Sequence, residues 1–503
     1  MGGLLLERAF PGATTCVLIG ELDSASDLDL QRYRCILRFV ADPRTAPPLR
    51  TASTVETIAL ADAAPPRLAP ALEAFLRRDP RHLPTLYVSE AALAWPAEAY
   101  QRLVDEIHAT LESHHRARVT RQQDGFPWQK HVLENLSAYA ARRVPASWAG
   151  VLRGCPAFVC GAGPSLDATA PKLAAIAGRG VVFAADSALR ALARRGIRAD
   201  FAISIDVAKQ PDKCLPPGNA PSRVVLSAVS PPAWRHAVPP DAVHFLSSGQ
   251  VTLDWIAQHG IARTTIAATE NCGSTALELA RFLGCSPIYL FGLDLALDSA
   301  NPGQRHHTAV DTTLYAKSNF NAAQEFPRVP GNHAPEVATH VFGDWRALDE
   351  RLAAWPTNLV VNVIDRGARL RNTAIFHPDR FTFEAAAIDP ASLLASLARP
   401  AAPDPAAVRA AFDRLRNAGR HGVAQLPALY SALEGGGPPA VVAALRPLFA
   451  AQDFGRAMGA FSLKTMPHLV PPVEGDAAFW RALLDELAAL VSLARDIADP
   501  VVR

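Results

Sequence analysis

From about residue 155 the chain alternates short, almost wholly apolar runs with helical stretches. The runs cover residues 156–160, 181–185, 201–205, 224–229, 243–246, 264–268, 287–291 and 359–364. A strand without polar alternation is buried on both faces, as in a parallel sheet that helices cover on both sides. The pattern therefore predicts an α/β, doubly wound, Rossmann-like domain.

The regions on either side have different patterns. Short apolar runs and Pro-rich loops at the start predict a small α/β domain with a helix over 97–113. The polar segment 115–124 leads into residues 128–143, whose apolar spacing predicts a connecting helix that feeds the next domain. After Phe383 no strand pattern remains, and Ala-, Leu- and Arg-rich stretches predict a helical bundle. Because one hydrophobic core rarely exceeds roughly 300 residues, we predict three domains, 1–124, 125–385 and 386–503.

The charge and cysteine content narrow the function classes. With 50 Lys and Arg against 48 Asp and Glu, the net charge of +2 offers no field to attract nucleic acid or an anionic membrane. Seven cysteines without a CxxC pair predict buried free thiols rather than disulfides or zinc. The N-terminus lacks a signal-peptide pattern and no apolar run reaches 18 residues, which predicts a soluble, cytoplasmic protein without membrane insertion.

The segment PAFVCGAGPSLD, residues 156–167, joins a predicted strand to a helix. Gly161, Gly163 and Pro164 predict a turn whose backbone N–H groups approach a phosphate at the positive end of the helix. Leu166 replaces the third glycine of the dinucleotide fingerprint and no phosphate-loop Lys-Ser/Thr is present, which disfavours an NAD site. The alternative is a tight turn capped by Ser165.

Three carboxylates close three predicted strands. Asp186, Asp206 and Asp294 each follow an apolar run, and ligands of open α/β sheets bind beyond the carboxyl ends of strands. We therefore expect the three side chains to converge on one crevice. A structural alternative remains, in which Asp186 and Ser187 cap a helix and Asp294 caps a turn.

The segment NCGSTALELARFL, residues 271–283, begins another helix. Gly273, Ser274 and Thr275 lie at its entrance, and Thr275 and Glu278 have the spacing of a capping box. The entrance predicts an anion site. The alternative is a cap without a ligand.

His306 and His307 lie in a polar stretch with Gly and Pro, after the Asp294 strand. Histidine is the usual general base at neutral pH, so a histidine beside the crevice is a candidate base. The alternative is that both are exposed loop residues.

Taken together, these motifs resemble a known family, the motility-associated-factor (Maf) glycosyltransferases, which are related to bacterial sialyltransferases and to an archaeal-type hydroxymethylpterin pyrophosphokinase. The matching segments lie in order, at family-like spacing, within residues 125 to 380. They are QKHVLENL (129–136), PAFVCGAGPSLD (156–167), residues 184–206, residues 273–294 and, more weakly, 362–374.

The resemblance implies a donor, an acceptor and a site. The donor would be a CMP-activated nonulosonic acid such as pseudaminic or legionaminic acid, and the acceptor a Ser or Thr hydroxyl of flagellin. His307, or failing that His306, would be the base, with Asp206 as a further catalytic candidate and no metal or other cofactor required. The residues that would bind the nucleotide-sugar are Gly161, Gly163, Pro164, Ser165, Asp186, Ser187, Ser204, Gly273, Ser274, Thr275 and Asp294.

Two other functions stay open. In a pterin pyrophosphokinase, Asp186, Asp206 and Asp294 would hold Mg²⁺ against the phosphates of ATP. In a non-catalytic nucleotide-binding scaffold, the pocket would persist without a base. The regions outside the central domain favour the transferase, because they suit the docking of a protein acceptor.

Overall fold

The computed structural model describes residues 4–8, 12–22, 29–63, 65–298, 301, 304–315, 325–383, 388–398, 400 and 404–500. The chain divides into two compact units, Met1–Gly125 with Leu463–Asp476, and Phe126–Ser462 with Ala477–Arg503. The C-terminal helices thus share a unit with the large sheet, and the division into three domains stays a prediction.

The first unit is the small α/β domain that the sequence predicts. Its strands are β1 (Leu4–Arg8), β2 (Thr15–Ile19), β3 (Cys35–Val40), β4 (Thr54–Ala59) and β5 (Thr85–Ser89), with helices α1 (Pro65–Leu76) and the first part of α2 (Ala97–Ala141). The strand order is β1-β5-β2-β3-β4, and only β1 runs antiparallel to its neighbour. Val17 and Ile19 of β2 join one core cluster and Cys16 and Leu18 another, so both faces of this strand are buried.

The second unit contains the Rossmann-like sheet. Its strands are β6 (Ala157–Cys160), β7 (Val181–Ala185), β8 (Phe201–Ser204), β9 (Arg223–Ser227), β10 (Val243–Leu246), β11 (Ile288–Phe291), the hairpin β12 (Arg328–Pro330) and β13 (Glu336–Ala338), β14 (Val360–Asn362) and β15 (Thr373–Ile375). Outside the separate hairpin, the order is β10-β9-β8-β7-β6-β11-β14-β15, with every pair parallel. The strand order reverses between β6 and β11, which makes that gap the topological switch point.

Helices cover the sheet and form the C-terminal region. They are α3 (Leu166–Ala174), α4 (Leu189–Ala193), α5 (Pro211–Cys214), α6 (Val251–Ala257), α7 (Cys272–Phe282), α8 (Phe342–Ala353), α9 (Pro390–Ala395), α10 (Pro405–Ala450), α11 (Gln452–Ala457), α12 (Gly459–Thr465) and α13 (Ala477–Arg495). The leucines at 483, 484, 487 and 490 of α13 are all buried, so this face fills the core of the helical region.

One local prediction of secondary structure is wrong. Residues 264–268 form no strand but a single bridge to Ser247, whose carbonyl accepts from the Ala268 N–H at 2.8 Å. Beside it the side chains take part, since the Thr264 N–H donates to Ser247 Oγ (2.9 Å) and the Ser247 N–H donates to Thr264 Oγ1 (2.8 Å). The polar segment 115–124 is part of α2, so the two predicted helices form one continuous helix. This segment is rich in Arg and Gln, which have high helix propensity, and Arg116 pairs with Glu112 one turn earlier at 2.6 Å.

All seven cysteines are free, and six of them are buried. Within the described part of the chain, none of the helices combines the length and apolar character that a membrane span requires.

Candidate functional site

A cavity of about 150 Å³ lies at the switch point. Its walls come from the segments that follow β6, β7, β8 and β11, from the start of α7, and from residues 305, 306, 340, 341 and 344. This is the position at which open α/β sheets bind ligands, and the expectation of a crevice at these strand ends agrees with it.

The turn between β6 and α3, residues 161–165, is called the α3 entrance below. Gly161 and Gly163 line the cavity, but their N–H groups donate to Phe291 O (2.8 Å) and Gly292 O (2.7 Å). The Ser165 N–H donates to Asp294 Oδ2 at 3.0 Å. These three N–H groups are therefore already paired within the fold. The N–H of Ala162, which also lines the cavity, is the one in this turn without a partner among the described residues, so a phosphate site here stays a prediction that rests on that group.

Packing explains the glycine at 163. A Cβ at this position would overlap the Asp294 carboxylate, so only glycine lets the two segments meet. Pro164 and Ser165 are buried behind the cavity wall. Ser165 does not cap α3, because its Oγ has no partner among the described residues and its backbone is already helical.

Asp186, at the end of β7, is fully buried and organises one wall. Its Oδ1 accepts from the Ser187 N–H (2.6 Å) and from Lys209 Nζ (3.4 Å), and its Oδ2 accepts from Ser204 Oγ (2.8 Å). Lys209 also donates to Ser187 Oγ at 2.8 Å. Asp186, Ser187 and Lys209 line the cavity, whereas Ser204 lies behind it.

Asp206 is the carboxylate that does not join the cavity. It follows β8, where its Oδ1 accepts from the Ala208 N–H at 2.8 Å, an Asx turn that shapes the segment leading to Lys209. The expected convergence of three acids is therefore limited to Asp186 and Asp294.

Asp294 follows β11 and is only 2% exposed. Its Oδ1 has no hydrogen-bond partner among the described residues. Burial raises the pKa of this carboxyl to about 7, against the opposing hydrogen bond from Ser165, and the nearby Asp365 charge adds to the rise. The next residue, Leu295, has φ 48°, a left-handed conformation that is costly for leucine and typical of functional sites.

The start of α7, residues 271–273, is called the α7 entrance below. Asn271 caps the helix, since its Oδ1 accepts from the Ser274 N–H at 2.8 Å. The predicted capping box is wrong, because Thr275 Oγ1 bonds to Thr269 N–H (3.0 Å) and Glu278 pairs with Arg351 (3.3 Å). Gly273 lines the cavity, while Ser274 and Thr275 are buried behind it.

The two histidines separate. His306 lines the cavity with its ring centroid 6.5 Å from that of His340. Burial, followed by the charges of Lys209 and Arg305, lowers the pKa of His306 to about 3. His307 is 1% exposed and does not line the cavity. Its Nε2 bonds to Ser187 O (2.6 Å) and its Nδ1 accepts from the Ala309 N–H (3.1 Å). Both ring nitrogens are therefore hydrogen-bonded to the backbone.

Several cavity residues were missed from the sequence. The charged and polar ones are Lys209, Asn271, Arg305, His340 and Asp344. Lys209 and Arg305 carried a signal, since each lies within three residues of a candidate, Asp206 or His306. Asn271 carried the same kind of signal, since it lies two residues before Gly273. The segment before α8 carried none, because it is distant in sequence from every candidate. Asn271 Nδ2 donates to Asp344 Oδ2 at 3.0 Å.

Comparisons with known proteins agree with this architecture. Residues 130–299 match the family model described as 6-hydroxymethylpterin diphosphokinase MptE-like. The MptE-like segment includes both helix entrances, Asp186, Lys209 and Asp294, but neither His306 nor His340.

The whole chain also has a structural relative. The Maf glycosyltransferase from Magnetospirillum magneticum AMB-1 matches with a TM-score of 0.55 and 18% sequence identity, over 96% of this chain and 78% of that chain. No curated protein matches by sequence. The predicted resemblance is confirmed, and at this identity the structural match establishes the fold.

The carboxylates do not fit the magnesium site of the pyrophosphokinase alternative. Asp206 is outside the cavity, and Asp186 already accepts hydrogen bonds from Ser187, Ser204 and Lys209. Within the described ranges, no three His, Cys, Asp or Glu side chains are grouped as a metal site requires.

Proposed function

We propose that this protein is a glycosyltransferase that moves a nonulosonic, sialic-acid-like sugar from a CMP-activated donor to Ser or Thr hydroxyls of flagellin. The observation that carries the proposal is a half-buried lysine, Lys209, which is ion-paired with the buried Asp186 in the cavity at the switch point. The fold shared with the Maf glycosyltransferase supports the reaction class. The free cysteines suit the reducing cytoplasm.

The cavity offers groups that stabilise a leaving phosphate without a metal. Asp186 and Ser187 fix the Lys209 ammonium. At the α7 entrance, the N–H groups of Cys272 and Gly273 have no partner among the described residues, and they lie at the positive end of the helix. Such preorganised donors stabilise the charge that develops on CMP as the bond to the sugar breaks. Arg305, which also lines the cavity, would pair with the carboxylate of the sugar.

We assign the base to His306 rather than His307. As the acceptor oxygen bonds to the anomeric carbon and CMP leaves, the hydroxyl proton passes to the His306 imidazole. The ring is neutral at pH 7, because burial and the neighbouring cations lower its pKa. A bound anionic donor offsets the charges of Lys209 and Arg305 and so raises that pKa towards the range useful for a base.

The test is donor binding followed by transfer. A rise in melting temperature with CMP-sugars, and not with ATP or pterins, is the expected screen result. His306→Gln is expected to slow transfer to flagellin by roughly 10²- to 10⁴-fold with donor affinity retained. His307→Gln is the matched neighbour and is expected to lower stability instead. Equal transfer rates for His306→Gln and the unmodified protein would remove His306 as the base.

A second candidate, an ATP-dependent pterin pyrophosphokinase, is favoured by the description of the MptE-like family model. The two functions differ in their need for metal. Sugar transfer is expected to survive EDTA, since the proposed stabilising groups are an ammonium and backbone dipoles. Turnover of ATP and a pterin that EDTA abolishes and Mg²⁺ restores would select the kinase, and nucleotide binding without any turnover would select a scaffold.

A further inference from the structure

We propose that Asp294 is a specificity residue that carries a proton: as a neutral carboxyl it donates a hydrogen bond to an anionic oxygen of the ligand, so that ligand and proton bind together. The proposal rests on the proposed function in one respect, namely that the ligand is an anion in this cavity.

The two cavity carboxyls at the sheet edge have opposite surroundings. Asp186 accepts from two hydroxyls, one N–H and an ammonium, which together compensate a negative charge. Asp294 accepts from one backbone N–H, that of Ser165, and its second oxygen has no partner among the described residues. Two carboxyl groups in one site with such different partners take different protonation roles.

The Asp294 carboxyl is held in place by backbone on two sides. A Cβ at Gly163 would overlap it, and a Cβ at Gly367 would lie 3.0 Å from Oδ1. Gly367 has φ +92°, and the adjacent Ala368 N–H donates to Asp294 O at 2.8 Å. The carboxyl therefore has little room to turn towards water or towards a cation.

The charges near Asp294 favour the neutral form. From the segment after β14, Asp365 and Arg366 face it, but Arg366 is engaged by Asp298 (2.8 Å) and Asp365 (2.6 Å). One cation shared by two carboxylates leaves net negative charge. Together with burial, this raises the pKa of Asp294 to about 7. The charged and titratable groups around the rest of the cavity are Asp186, Lys209, Arg305, His306, His340 and Asp344.

The consequence is a site that selects anions by protonation. An ionised Asp294 would repel a phosphate or carboxylate oxygen, whereas a protonated one donates a hydrogen bond to it. Binding is then expected to weaken as the pH rises above the pKa of Asp294.

The experiment measures affinity by calorimetry between pH 6 and 9 with CMP-N-acetylneuraminate, whose phosphodiester, unlike a phosphomonoester, has no proton to lose near pH 7. We expect affinity to fall about tenfold per pH unit above the Asp294 pKa. In buffers of different ionisation enthalpy, proton uptake is expected to be small at pH 6 and to approach one proton per ligand at pH 8 to 9. Asp294→Asn, which keeps a hydrogen-bond donor, is expected to bind with a much flatter profile.

Two controls separate Asp294 from other groups. Asp200 is a partly buried carboxyl that also accepts from one backbone N–H, that of Val182 at 2.9 Å. It precedes β8, at the opposite edge of the sheet. Burial raises its pKa as well, so Asp200→Asn is expected to leave the steep profile intact. His306→Gln is expected to retain the proton uptake, which assigns the proton to Asp294.

The outcomes are distinct. A flat profile in the unmodified protein, an unchanged slope in Asp294→Asn or no proton uptake would overturn the inference while the donor still binds. If Asp294→Asn does not fold, proton uptake in the His306→Gln protein decides. If the donor does not bind at any pH, the proposed function fails. Sulfate, whose charge is constant over this range, then replaces the donor as the anion in a titration followed by melting temperature. Stabilisation by sulfate that fades above pH 7 would uphold the inference alone, and its absence would overturn both.

Discussion

The α3 entrance and the α7 entrance face the same cavity, yet they differ in how their backbone donors are used. At the α3 entrance, the N–H groups of Gly161, Gly163 and Ser165 are paired with the end of β11 and the segment after it, which leaves that of Ala162 without a partner among the described residues. At the α7 entrance, Asn271 Oδ1 accepts from the N–H of the third helical residue, Ser274. The first two N–H groups are left without partners among the described residues.

The difference teaches that a glycine-rich turn before a helix shows that another group lies close to the backbone. It does not show whether that group belongs to a ligand or to the protein. At the α3 entrance the approaching group is the Asp294 carboxylate of the protein itself. At the α7 entrance the helix dipole and two open donors face the cavity beside Lys209. We therefore expect substitutions at the first entrance to affect folding and at the second to affect ligand binding.

The largest effect is expected from Gly163→Val. The added side chain would displace the Asp294 carboxylate, and overpacking of this kind costs about 3 kcal/mol of unfolding free energy. Urea denaturation measures the loss. Gly249→Val is the matched control, because nothing lies within 4 Å of a Cβ there. Equal stability of the two variants would show that the α3 entrance accommodates a valine side chain at position 163.

Lys209→Met is expected to weaken binding of a CMP-sugar by about 10- to 100-fold, because a hydrogen bond to a charged group contributes roughly 1.5–3 kcal/mol. Calorimetry at low salt is the measurement. Lys213→Met removes a nearby surface lysine that lies 3.7 Å from Asp311 and outside the cavity, and should leave affinity unchanged. If both variants bind the CMP-sugar as the unmodified protein does, the bound anion does not contact Lys209.

Stability should depend on pH through Asp294. Its pKa is about 7 in the folded protein, above the unfolded value of 3.8, so its contribution is fully present below about pH 4 and is lost as the pH rises to 7. Relative to Asp294→Asn, the unmodified protein is expected to lose about 2 kcal/mol between pH 5 and 7. Parallel urea titrations test this, and identical pH dependence of the two proteins would contradict it.

The smallest effects are expected at the two residues that precede helices α7 and α3, Asn271 and Ser165. Asn271→Ala is expected to cost about 1 kcal/mol of unfolding free energy, because it removes the acceptor of the Ser274 N–H. Ser165→Ala is expected to cost little, since the Ser165 Oγ has no partner among the described residues. Thermal denaturation ranks the two, and a larger loss at Ser165 would reverse the comparison.

The sequence by itself determined the sheet and the edge at which the cavity forms. Apolar runs that must be buried on both faces become parallel strands, and the carboxyl ends of parallel strands share one edge. That reasoning placed Asp186 and Asp294 at this cavity, the local motifs of turn, helix entrance and loop placed Gly161, Gly163, Gly273 and His306 there, and the family resemblance added Ser187. All of these residues line it. The pattern failed at 264–268, where one backbone bridge to Ser247 and bonds through the Thr264 and Ser247 side chains stand in place of a strand ladder.

Only the tertiary structure decided which of these groups remain available to a ligand. Ser165 pairs with a residue 129 positions away, and His307 with one 120 positions away, so no local pattern records that their donors and ring nitrogens are already used. The same holds for Lys209, which Asp186 orients from another strand end, and for His340, which reaches the cavity from beyond β13. Local residue patterns place groups along the chain, whereas availability depends on partners that only the packed fold brings together.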